Sequence, residues 1–102
     1  MNTFDGSALQ RFQNAVDEMA GSGRSIQERL GSAVATQLLP LRAGDLPPSL
    51  RERFTSLMSQ LEGRGGIEDA ARALSDEEAG KLIEEVVSLT VRFAKAAPDE
   101  DA

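Results

Sequence analysis

The chain has 102 residues, 40% of them hydrophobic and 27% charged, and a formal net charge of −6. That is enough for one domain with a single modest core, and the composition is too apolar for wholesale disorder. Histidine, cysteine, tyrosine and tryptophan are all absent. Their absence removes the usual general base near neutral pH, the commonest metal ligand, thiolate nucleophiles and any disulfide.

Carboxylates, Lys81, Lys95, the arginines and the hydroxyls remain for acid–base or nucleophilic work. The expectation is therefore a protein that is not an enzyme, with no cofactor and no metal. Four phenylalanines are the only aromatics, which leaves little to build a base-stacking platform. No apolar run approaches the roughly 18 residues of a membrane span. The opening MNTFDGSALQRF has neither the basic start nor the apolar run of a secretory signal. A soluble, cytoplasmic protein is expected.

The charge is unevenly placed. Residues 1–61 carry six acids and six arginines, whereas residues 62–102 carry eleven acids against five bases, so the whole imbalance falls in the last two-fifths. A surface of that sign repels a phosphate backbone and attracts a basic partner.

In chain order, Leu9, Phe12, Val16 and Met19, with Ala8 and Ala15, make one apolar stripe on a helix from about Ser7 to Ala20. Gly21 stands where a left-handed C-cap would close it. Ser25 and Glu28 form a capping box opening a second helix near Ile26, with a stripe of Ile26, Leu30, Ala33, Val34 and Leu38. Gly31, in its body, is expected where a neighbouring helix packs closely. Gln37 lies inside the stripe and is a candidate to bridge between helices.

The stretch LLPLRAGDLPPSLRERF, residues 38–54, holds three of the four prolines. Pro40 should stop helix two near Leu38 or Leu39. Asp45 suits an N-cap, and Pro47 and Pro48 suit a first turn, so a third helix is expected from about Pro47 to Leu61. The prolines read as punctuation rather than as a displayed polyproline ligand. GRGG, residues 63–66, is a break, without the strand and GK[ST] ending of a phosphate loop. Ile67, Ala70, Ala71 and Leu74 make a short helix of about two turns. Glu68 and Asp69 sit near its start, where the helix dipole favours them.

Ser75 and Glu78 form a second capping box. The helix it opens should run from Asp76 to about Ala96. Ala79, Leu82, Ile83, Val86, Thr90, Phe93, Ala94 and Ala97 share one direction on it, and Val87, Leu89 and Val91 widen that face to about 200°. So wide a face is either packed on two sides or awaits a partner. Thr90 is expected to bond back to the carbonyl one turn earlier. The tail after Pro98 is expected to be frayed.

The fold class is thus all-α: a compact bundle of four main helices plus one short helix, one domain over residues 1–97 with an acidic tail at 98–102. The order Leu38-Leu39-Pro40-Leu41, Leu46-Pro47, Leu50 with Phe54, Gly66-Ile67, and Ser75-Asp76-Glu77-Glu78-Ala79 with Val86-Val87-Ser88-Leu89 resembles a group of small uncharacterised all-helical bacterial proteins. It spans about residues 30–95. The resemblance implies the helical fold and carries no known activity. Nine arginines against two lysines are compatible with a GC-rich bacterial genome.

Three readings compete for the acids of the last helix, Asp76, Glu77, Glu78, Glu84 and Glu85: a solvated face with pairs such as Glu77–Lys81 and Glu85–Lys81, a surface for a basic partner, or a carboxylate metal site. Arg51 and Arg53 are either solvent-facing or a recognition pair for an acidic partner. The expected function is binding another protein with a basic surface, as regulator, accessory subunit or inhibitor. The expected contacts are Glu77, Glu78, Glu84, Glu85, Leu89 and Val91. Two alternatives stand beside it. One is a decoy imitating nucleic-acid charge, phage- or mobile-element-borne, with no direct nucleic-acid binding of its own. The other is a homodimer burying the surplus apolar sector of the last helix.

Overall fold

The apolar stripes of the helices meet around Phe12. A computed structural model describes residues 6–21, 23–62 and 65–101, with the backbone alone at residues 6, 7 and 97–101. Five α-helices, four of them longer than one or two turns, build a compact all-α bundle, and no strand occurs among the described residues. Phe12 packs edge-on against Phe54 and Phe93, with ring centroids 5.9 and 5.8 Å away. Such pairs add about 1 kcal/mol each beyond the area they bury.

Helix α1 (Gly6–Met19) buries Ala8, Phe12, Ala15 and Met19, while Leu9 and Val16 lie at the edge of the core. Gly21 does not take the left-handed conformation expected of it; the positive φ falls at Gly23 instead. The reason is a side chain. Arg29 donates from Nη1 to the carbonyl of Met19 at 3.0 Å and to that of Gly21, satisfying the end of α1 without a glycine turn.

Helix α2 (Ile26–Ala33) is capped as expected, with the Ser25 hydroxyl accepting from the Glu28 N–H at 3.1 Å. Gly31 faces α4 (Ile67–Arg72): a Cβ there would lie 3.0 Å from the Ala71 Cβ and 3.2 Å from the Glu68 Cα. The two helices pack against each other at this point, which is the close approach read from the glycine. Glu18 of α1 ties α2 from its other side, accepting from Ser32 at 3.3 Å and Thr36 at 3.0 Å.

Beyond Ala33 the chain loosens into a π-helical turn, Val34–Leu38, whose Leu39 N–H reaches the Val34 carbonyl five residues back at 2.8 Å. The run ends at Leu38, close to where Pro40 was expected to stop it; Leu39 keeps helical angles, so the break comes from the N–H that Pro40 lacks. Gln37 is half-buried in this turn and makes no hydrogen bond among the described residues, so it does not bridge helices.

The proline segment is a corner. Leu46 and Pro47 are buried, while Pro40 and Pro48 are exposed. Asp45 does not cap helix three. Its carboxylate accepts from the Arg42 N–H at 2.8 Å and closes a 3₁₀ turn, Ala43–Asp45. A second 3₁₀ turn, Pro48–Leu50, leads into α3 (Arg51–Ser59), shorter at both ends than the expected Pro47–Leu61. Leu50, Phe54, Leu57 and Leu61 still enter the core. Gly66, φ +91°, opens α4 in a conformation open essentially to glycine alone.

Helix α5 (Asp76–Asp101) is longer than the Asp76–Ala96 span expected from Pro98. The side chains of 97–101 and the whole of Ala102 lie outside the described residues, while the backbone of 98–101, expected to be frayed, continues the helix. Ala79, Leu82, Val86, Leu89 and Phe93 are its buried stripe, and it packs against α1, α2 and α3. The Thr90 hydroxyl donates to the Val86 carbonyl at 2.7 Å, as read from the sequence.

Candidate functional site

The acids at the start of α5 are mostly occupied within the molecule. The Ser75 box is reciprocal: the Ser75 N–H donates to the Glu78 carboxylate at 2.9 Å and the Glu78 N–H to the Ser75 hydroxyl at 3.1 Å. The Ser75 N–H first, and then the Ser75 hydroxyl, hold the Glu78 carboxyl below its ordinary value. Asp76 accepts from Gln27 at 2.7 Å. Glu77 lies 3.5 Å from Lys81, one turn on.

Glu85 pairs across helices rather than with Lys81. Arg53 of α3 donates from Nε and Nη2 to its two carboxylate oxygens, at 2.9 and 2.7 Å, and from Nη2 to the Ser88 hydroxyl at 3.2 Å. The hydrogen bonds to Glu85 raise the Arg53 pKa above its usual value. Arg51 donates to the carbonyls of Leu46 and Gly44, at 3.0 and 3.5 Å. Both arginines thus work within the fold, one as an inter-helix clamp and one as a loop tether.

The six expected contact residues therefore separate. Leu89 is 0% exposed and belongs to the core, so it offers nothing to a partner of the folded chain. The wheel placed it at one edge of a wide apolar face, and that edge is the one α5 turns inward. Glu78 caps the helix and Glu85 clamps it. Glu77, Glu84 and Val91 are exposed, and Glu84 makes no ion pair among the described residues.

Around these three lies a face the sequence reading underused. Val91 is 48% exposed and Val87 39%; Ala94 is exposed, and Ile83 and Gly80 are half-exposed. At 3.6 residues per turn, Gly80, Ile83, Val87, Val91 and Ala94 fall within about 80° of one another, and their centre lies about 120° from that of the buried stripe. Their spacing of three, four, four and three was the available signal. Glu84 and Lys95 sit on the same flank of this face.

Two clefts open elsewhere. One, of about 490 Å³, lies among Leu39, Leu41, Met58, Leu61 and Ile67, with Leu39 itself 56% exposed. The other, of about 410 Å³, gathers Ser49, Arg53, Arg92 and Lys95. Among the described residues no three carboxylates converge as a metal site, and no helix is long and apolar enough to cross a membrane. No protein-family model matches the chain, and neither does any curated protein or solved structure.

Proposed function

We propose that this protein works by binding another protein through the outward face of α5, with Val87 and Val91 as its apolar centre and Glu84 and Glu77 as its acidic flank. The observation that carries this reading is the exposure of those two valines, 39% and 48%, on a helix whose opposite stripe is fully buried. Exposed branched apolar residues aligned on one helix, rimmed by charge, suit an interface better than bulk water. The partner surface that fits is an apolar ridge with a basic group placed to meet Glu84.

The nucleic-acid decoy has less in its favour. Among the described residues Glu85 is paired with Arg53 and Glu77 lies beside Lys81, which breaks up the row of negative charge along α5.

Crosslinked capture with the intact chain tests the proposal. The wild type should retain a protein that Val87→Asp/Val91→Asp does not, while the circular dichroism of the two chains is the same. Equal capture by both would remove the α5 face from consideration.

A further inference from the structure

The face of α5 is complementary to itself when one copy is reversed. Three pairs of positions share a midpoint near residue 89, agreeing within about 1.5 Å, one residue's rise: Val87 with Val91, Ile83 with Ala94, and Glu84 with Lys95. Reversing a second α5 about that point sets valine against valine. It also sets Glu84 against the partner's Lys95, and does so twice by symmetry.

Two features select this orientation. Glu84 and Lys95 lie on the same flank, and in antiparallel pairing like flanks face each other, so acid meets base. A parallel pairing would instead bring the acidic starts of both helices, Asp76, Glu77 and Glu78, side by side, where like charges repel. Among the described residues neither Lys95 nor Glu84 makes an ion pair.

Gly80 adds an independent observation. Glycine inside a helix costs about 1 kcal/mol relative to alanine, and Gly31 shows the usual return, a helix packed against it. A Cβ at Gly80 would meet nothing within 4 Å in the single chain. Nothing in the single chain occupies the space beside Gly80, which leaves that end of the face open.

From these we infer that α5 pairs antiparallel with α5 of a second copy, through Ile83, Val87, Val91 and Ala94 and with reciprocal Glu84–Lys95 contacts. This rests on the reading of the α5 face above and names its occupant. The seam centred on residue 89, from Ile83 to Lys95, is about 18 Å long, on the order of 250 Å² per copy with its flanks, against about 800 Å² per partner for a standard interface. The pairing is accordingly weak and concentration-dependent.

Sedimentation of the full chain from ~10 μM to ~1 mM decides it, over the range where interfaces of this size associate. The expected mass rises from 10.9 kDa toward twice that value, and Val91→Asp abolishes the rise without changing the helical signal. Glu84→Lys and Lys95→Glu should each weaken association about threefold to tenfold, as exposed ion pairs do, and the two together should restore it. Because the chain has no cysteine, Glu84→Cys mixed with Lys95→Cys should form a mixed disulfide faster than either forms its own. A constant 10.9 kDa mass at the top concentration overturns the inference, as does a dimer indifferent to Val91→Asp or one crosslinking 84 to 84. A chain that stays monomeric yet loses a captured protein on Val91→Asp would sink the self-pairing and leave the broader reading standing.

Discussion

Arg53 of α3 grips both carboxylate oxygens of Glu85 on α5, at 2.9 and 2.7 Å, and so joins two helices that also pack against each other. The pair is about a third exposed, 36% and 29% at the two side chains, so solvent screening limits its value to about 1 kcal/mol despite the bidentate geometry. Arg53→Ala and Glu85→Gln should each lower unfolding free energy by about that much, and the double variant by less than their sum. Chemical denaturation reads this directly. Glu85→Gln should leave partner binding at the outer face intact, because that carboxylate points at Arg53.

Gly31 and Gly80, both inside helices, should respond to alanine with opposite signs. At Gly31 the new methyl would press on Ala71 and the Glu68 backbone at 3.0 and 3.2 Å, and the overpacking should cost a net ~1–2 kcal/mol. At Gly80 nothing is met in the single chain, so the alanine should add up to ~1 kcal/mol. Urea melts at low micromolar concentration, where one copy is measured, give both numbers. A stabilising Gly31→Ala would contradict the α2–α4 packing.

Acid should weaken the start of α5 first. Because the Glu78 carboxyl is held below its ordinary value of 4.5 by its bonds to Ser75, its contribution is present above that value and is lost as pH falls through the lower, folded-state value. Stability should therefore decline from about pH 4.5 downward, and Glu78→Gln should flatten that part of the profile. Ser75→Ala should cost about 1 kcal/mol at neutral pH.

What the sequence made legible was local. The two serine–glutamate boxes, the Pro40 stop, the Gly31 approach and the Thr90 back-bond each depend on residues within one turn, or on a single steric rule. The π turn has no such signature: nothing in Val34–Leu38 distinguishes a bond to the fifth residue from one to the fourth. The end of α1 was placed to within a residue but its cap was misassigned, because Arg29, ten residues on from Met19, does the work assigned to Gly21. On α5 the wheel found an apolar face too wide for one contact. It could not say that Leu89 would turn inward and Val91 outward, since that is settled by where α1, α2 and α3 sit. The same long-range placement removed Glu85 from the candidate surface and brought Val87 into it.

Leu38 and Leu39 are adjacent and chemically identical, yet one is 0% exposed and the other 56%. The π turn brings Leu38 onto the buried side as its last residue, and the Leu39 N–H closes the turn from outside. Pro40 then diverts the chain, so Leu39 has no following turn to cover it. Leu38→Ala should cost ~2–5 kcal/mol, the loss of a fully buried leucine plus the cavity left behind. Leu39→Ala should change stability by no more than ~0.5 kcal/mol, as surface positions do. Both variants should keep the denaturant slope of the parent, since neither alters how much surface unfolding exposes. Equal losses at the two leucines would mean that the chain leaves α2 through an ordinary α-helical end, with Leu39 packed rather than turned out beside the cleft it shares with Met58 and Ile67.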